Sequence, residues 1–235
     1  MANERQKAIL QAVIDEFIES AAPVASSRIV HKYHFPYSSA TVRNDFLKLD
    51  AEGYLEQPHT SAGRVPTDKG YRFYADAIFD SGKRHARKQK MLAELARASE
   101  FEEEEFIRTA SRMIAGLSHG VACAGFPKEE LFYKSGFAEA LDEPEFDNST
   151  TRKNFAELVD DIDNFLAEMV DDESFSFPRI FIGNENPIEL AREYSVMISS
   201  FATPFHKEAV IGIIGPKRMD YQKNMLLLQE LQTLW

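Results

Sequence analysis

Apolar residues fall into a helical rhythm at the start of the chain. Ala8, Ile9, Ala12, Val13 and Phe17, with Glu16 among them, recur at spacings of three and four from about Arg5 to Glu19, as on one helix face. Ala21, Ala22 and Pro23 end this helix. Ser26 or Ser27 is placed to cap a short second helix, Arg28 to Tyr33, and Pro36 in the turn HFPYS blocks its continuation. Ser38 or Ser39 caps a third helix that reaches Glu52 and stops at Gly53. Val42, Phe46 and Leu49 form its apolar stripe. A turn of about 100° per residue then puts Ala40, Arg43, Asn44 and Lys48 on the opposite side, with Thr41 flanking.

Two short extended pieces follow, Tyr54 to Gln57 and one starting at Val65, with the turn His59 to Arg64 between them. Pro66-Thr67-Asp68 opens a fourth helix that reaches about Phe79. Helix, helix, helix, strand, loop, strand, helix is the order of a winged helix-turn-helix.

Residues 83–118 read as two helices. The first is basic at its start (Lys83, Arg84, Arg87, Lys88, Lys90) and carries Met91, Leu92 and Leu95. Ser99 with Glu102 fits a capping box for the second, whose stripe is Phe106, Ile107, Ala110, Met113, Ile114 and Leu117. From Val121 the pattern becomes α+β. Val121–Phe126 and Leu131–Gly136 form a hairpin around Pro127-Lys128-Glu129, and Asn154 to Val170 is an amphipathic helix. Arg179–Ile182, Tyr194–Phe201 and Ala209–Ile214 read as strands, and Tyr221 to Leu234 as a closing helix. The fold expected is α+β in three parts: a winged helix at 1–80, a helical linker at 81–118, and a small antiparallel sheet domain with helices at 119–235.

Charge sharpens this division. The whole chain carries −11, but residues 1–90 balance at +3 and residues 91–235 at −14, which points to two parts with different partners. The opening MANERQKAIL has no apolar signal-peptide core, and the densest apolar run, Ala209 to Ile214, is too short to span a bilayer. Cys123 is the single cysteine, so neither a disulfide framework nor a thiolate zinc cluster is available. A cytoplasmic protein with no membrane partner is expected.

The third helix offers the residue types that read bases: Arg pairs with guanine in bidentate fashion, and Asn with adenine. Arg43 and Asn44 are therefore the base-reading candidates, with Ser39, Thr41 and Lys48 nearby. Ser38, Ser39 and the first helical N–H groups suit a backbone phosphate. In the turn, His59, Thr60, Ser61, Gly63 and Arg64 make a small tip with one cation. Ser61, Arg64 and Lys69 are the phosphate candidates there.

At this point the chain resembles a known family. SSATVRNDFLKLDAEGYLEQPHTSAGRVPTDKGYRFY is similar to the DNA-binding domain of the heat-inducible transcription repressor HrcA family. The segments SGFAEALDEPEFD, IFIGNEN, EYSVMISSF and IGIIGPKRMDY resemble its C-terminal half, which is GAF-like in that family. The resemblance implies a homodimer that binds double-stranded DNA at an inverted-repeat operator (the CIRCE element) upstream of chaperone genes. It also implies a chaperonin that keeps the repressor active. Two departures stand out. Only His119 to Gly136 fills a region where the family carries further strands and a dimerisation subdomain. Leu47 and Lys48 stand where the family more often has small or acidic residues. The helices of 83–118 are the expected dimer contact, because their apolar stripes need cover.

Other constellations add little. GNENP and GPKRMDY read as tight turns with an Arg218–Asp220 pair and a packed Tyr221, or else as the lining of a ligand pocket. His31 and His34 have no partner that completes a metal site, Cys123 reads as a buried small hydrophobe, and the acidic residues 160–173 lack a calcium-loop pattern. No nucleophile–base or phosphate-loop signature is present, so neither an enzyme nor a cofactor is expected. The alternative from another class is a sensor or chaperone-interacting module with weak or lost specific DNA binding.

Overall fold

The computed structural model describes residues 3–60, 62–81, 102–171 and 178–233, with Leu95. The chain divides into two compact units, Met1–Ser81 and Gly82–Trp235.

In the first unit, α1 (Glu4–Ser20), α2 (Ser26–Lys32) and α3 (Ser39–Ala51) precede a two-stranded antiparallel ribbon, β1 (Leu55–Glu56) and β2 (Val65–Pro66), and α4 (Asp68–Ser81). Asn3 opens α1 in a reciprocal capping box with Gln6. Ser38 caps α3 by accepting from the Thr41 N–H, and Gly53 ends it at φ +77°, a conformation open to glycine without penalty. At α2 the expected serine cap is absent. Ala25 is the cap residue and Ser26 lies inside the helix, buried. Ile9, Leu10, Val13, Ile14, Ile29, Val42, Phe46, Leu49 and Leu55 fill the core between these elements.

The second unit is a five-stranded antiparallel sheet with helices on both faces. The strands β3 (Val121–Phe126), β4 (Leu131–Ser135), β5 (Arg179–Ile182), β6 (Tyr194–Ala202) and β7 (Glu208–Pro216) lie in the order β4-β3-β7-β6-β5. The helices are α5 (Glu103–Ser118), the short α6 (Phe137–Ala140), α7 (Ser149–Asp171) and α8 (Tyr221–Gln232). Side chains alternate across a strand. Val121, Cys123, Val196, Ile198, Val210 and Ile214 accordingly meet Phe155, Leu158, Ile162, Phe165 and Leu166 of α7. The opposite face of β3 and β6 packs against α5 and α8. Strand β3 is buried at all six positions because both of its faces are covered.

Three sequence expectations change here. Helix α5 begins at Glu103 with Glu102 as its cap residue and no side-chain cap bond. The Ser99 box does not set its start, and the first linker helix lies outside the described residues. Phe106, Ile107, Ala110 and Ile114 are fully buried within their own chain, so most of the α5 stripe is already covered, while Met113 and Leu117 are half-buried. Arg218 pairs with Glu143 and Glu145 rather than Asp220, reaching Glu145 Oε1 at 2.5 Å. The Asp220 side chain instead caps α8, accepting from the Lys223 N–H at 2.9 Å.

Candidate nucleic-acid interface

Three buried charged residues, Glu16, Asp45 and Arg64, tie the helices and the ribbon of the first unit together, two of them acting on α3. Asp45 lies on its inner side, 1% exposed, and takes a two-pronged contact from Arg5, with both Nη2 and Nε at 2.9 Å. The Asp45 partnership holds the Arg5 pKa above its ordinary value. One turn later, Asp50 receives Arg64 Nε at 3.0 Å. Glu16 on α1 is fully buried and pairs with Arg28 and with Lys32, the latter at 2.8 Å, which ties α2 to α1. Burial alone would push the Glu16 carboxyl up. The hydrogen bonds from Lys32 and Arg28 outweigh it and leave the group below its ordinary value.

The ribbon is tied down in the same way. The Arg64 N–H and C=O exchange bonds of 2.9 Å with Val24, a bridge that draws the two backbones together. A β-carbon on Gly63 would run into the Val24 carbonyl, so the approach requires glycine at this position. Between the strands, Gln57 Nε2 donates to the Thr60 and Ala62 carbonyls at 3.0 Å each and braces the loop.

The predicted site residues therefore separate. Arg43, Asn44 and Lys48 are exposed on one side of α3, with Ser39 and Thr41 half-buried at its start. Ser38 is exposed, and its hydroxyl lies 3.0 Å from that of Thr41. His59 and Thr60 are exposed on the loop, and Ser61 lies outside the described residues. Arg64 is a correction. It is only 8% exposed, its guanidinium turned onto Asp50, so the loop tip carries no cation from this position. The sequence hid this because Val24 and Asp50 are distant along the chain. Lys69 is exposed, but its ammonium donates to the Glu52 carbonyl at 2.7 Å and sits 4.3 Å from the centre of the Tyr54 ring. It caps the C-terminal end of α3, where a cation is favoured.

The charge picture also shifts. Lys83, Arg84, Arg87, Lys88 and Lys90 lie beyond Ser81, so the first unit itself holds 9 Lys and Arg against 11 Asp and Glu. Seven of those nine cations have an ionic or hydrogen-bonded partner: Arg5, Lys7, Arg28, Lys32, Arg64, Lys69 and Arg72. Arg43 and Lys48 have neither among the described residues, and both stand on the outer face of α3. Leu47 stands between them, 54% exposed. Its place on the helical wheel, among the polar residues, was the available signal.

Elsewhere, the GNENP turn is structural. Asn186 is 1% exposed, and its amide nitrogen lies 2.9–3.2 Å from the carbonyls of Gly183, Ala191 and Tyr194. Burial pushes the Cys123 thiol up to about 12, which removes the reactive thiolate at neutral pH. Among the described residues no group of His, Cys, Asp and Glu is placed to hold a metal ion, and no helix is long and apolar enough to cross a membrane.

A family model for the HrcA protein C-terminal domain matches residues 81–225. The chain belongs to the HrcA family. A heat-inducible transcription repressor HrcA of Thermoanaerobacter pseudethanolicus is 27% identical over 337 aligned positions, covering 99% of this chain and 94% of the relative. The alignment is longer than the chain's own 235 residues, so the relative carries stretches that this HrcA member lacks. The HrcA of Chloroflexus aurantiacus is 40% identical over 133 residues, 56% of this chain and 36% of its own. That of Acetivibrio thermocellus reaches 54% over 76 residues, 32% and 22% respectively. A crystal structure of a hypothetical protein matches the fold over 100% of both chains with TM-score 0.76 at 19% identity. Family membership makes this protein a transcription repressor of the heat-shock response, and not an enzyme.

Proposed function

We propose that residues 3–81 are a winged helix-turn-helix whose α3 enters the major groove of an inverted-repeat operator, with the loop between β1 and β2 against the flanking backbone. The observation that carries this is the pair of cations without a partner among the described residues, Arg43 and Lys48, on one exposed face of α3, in a unit whose other Lys and Arg side chains are all engaged. Arg43 and Asn44 read bases, Lys48 and the Ser38–Thr41 turn meet phosphates, and His59, Thr60 and Ser61 supply the loop's contacts. Lys69 is a secondary phosphate contact at the end of α3.

The repressor acts as a homodimer, since two half-sites on one face of the duplex demand two-fold symmetry. Residues 119–235 form the GAF-like regulatory part, the chaperonin is the partner that family resemblance points to, and the cytoplasm is the compartment.

The test is binding to a labelled inverted-repeat operator of the family type against scrambled DNA at two salt concentrations, with sedimentation on the same sample. Selective binding should weaken steeply with salt. Arg43→Ala should cost about 1–3 kcal/mol and blunt selectivity, whereas Lys48→Ala should weaken both DNAs and lower the salt slope by about one. A folded protein with no preference between the DNAs would overturn this reading in favour of a sensor module.

A further inference from the structure

Leu47 stands alone as a large apolar side chain among the polar residues on the outer face of α3. Leu47 is 54% exposed, the most exposed of the large apolar side chains among the described residues. The others, Phe137 and Leu190, belong to the second unit, and Phe137 stacks on Phe155. Helical geometry puts Leu47 near the centre of the outer face. At about 100° per residue it lies between Arg43, one turn before it, and Asn44. An exposed leucine here leaves apolar surface in water, and no element of the first unit covers it.

We infer that Leu47 is a specificity-determining residue that packs against the 5-methyl group of a thymine in the operator major groove. The inference rests on α3 being the DNA-reading helix. The major groove presents one apolar group, the thymine methyl, and apolar side chains recognise it by contact. Arg43 and Asn44 flank the leucine with hydrogen-bonding groups. The three residues together therefore match a groove edge of mixed polar and apolar character.

The chemistry supplies its own probe, because deoxyuridine differs from thymidine only by that methyl. Duplexes that the full chain selects from a random-sequence pool are resynthesised with each thymine replaced in turn by deoxyuridine. Burying one methyl corresponds to roughly a fourfold affinity change. At one thymine per half-site, the replacement should weaken binding of the wild-type protein about fourfold. Leu47→Ala should lose a similar factor on the thymine duplex and become indifferent to the replacement. Alanine is compatible with an exposed helix position, so the variant should fold, and its circular dichroism verifies that.

Two results overturn the inference alone: no thymine whose methyl matters to the wild type, or a methyl effect of the same size in Leu47→Ala. If Arg43→Ala still abolishes selection in either case, the α3 reading stands without Leu47. If the pool yields no enriched sequence, or Arg43→Ala selects the same one, the α3 reading fails and Leu47 fails with it.

Discussion

The two units bury different kinds of polar group. In the first, the buried polar residues include three charged ones, Glu16, Asp45 and Arg64, each ion-paired, beside the neutral Gln6 and Ser26. Among the described residues of the second, the buried polar residues are neutral: Ser111, Ser118, Asn186, Ser195, Ser199, Thr203 and Asn224. Ser111, Asn186 and Thr203 donate to carbonyls, Ser195 Oγ lies 2.7 Å from Tyr221 Oη, and Asn224 Nδ2 donates to the Met219 sulfur at 3.6 Å. The second unit has a sheet covered on both faces, so apolar packing does most to define it, beside the pairs of Arg218 with Glu143 and Glu145. The first is small, and small units bury proportionally less surface. Its ion pairs are directional, so Arg5–Asp45 and Arg64–Asp50 orient α3 as apolar contact alone would not. Replacing such pairs with apolar residues can be neutral or stabilising, so their contribution here is to geometry more than to stability.

The largest expected effect breaks the apolar side of this comparison. Phe155 is fully buried, and its ring centroid lies 4.5 Å from that of Phe146 and 5.1 Å from that of Tyr194. Phe155→Ala should cost about 3–5 kcal/mol. Peptide-resolved hydrogen exchange should show faster exchange in α7 and β6, with residues 3–81 unchanged. Loss of protection in both units would mean that they are not energetically separate.

Next in size is the backbone bridge of the first unit. Gly63→Ala drives a methyl into the Val24 carbonyl and should destabilise that unit by about 1–3 kcal/mol. It should also loosen the Arg64–Asp50 pair and reduce operator affinity more than an exposed substitution does. Unchanged protection of the Val24 and Arg64 amides would show that the bridge adapts.

The smallest effect is a pH dependence that sharpens the contrast. The folded state holds the Glu16 carboxyl below its ordinary value. Its contribution is therefore complete above the unfolded carboxylate pKa and lost as pH falls through the folded one. Glu16→Gln should lower the stability of the first unit at neutral pH and flatten its acid limb, and the two proteins should converge at low pH. Urea unfolding at several pH values, read by exchange in residues 3–81, measures this. A parallel acid limb in the variant would mean that Lys32 and Arg28 find solvent equally good.

Much of the fold is legible in the residue pattern. The stripe from Ile9 to Phe17, the serine before α3, Gly53 after it, and the hairpin around Pro127 are local signals, and each depends on neighbours within a turn or a bend. The site was partly legible for the same reason. Arg43, Asn44 and Lys48 follow from the rotation of a helix whose stripe is Val42, Phe46 and Leu49. Arg64 was not legible, because its inward turn depends on Val24 and Asp50. The α5 stripe is covered chiefly by β3 and β4, which follow it directly; only the parts of its cover supplied by β7 and α8, far along the chain, were hidden.

By itself the sequence determined the elements, their order, the face of α3 turned outward, and the family resemblance, because helix and strand periods are set by residues close in the chain. Only the tertiary structure decided which cations remain available. Arg5, Arg28, Lys32 and Arg64 find carboxylates on other elements, and Lys69 finds a helix-end carbonyl. Such pairs join residues far apart in sequence, where no local spacing rule reaches. What they leave over is the surface of α3 carrying Arg43, Asn44, Leu47 and Lys48.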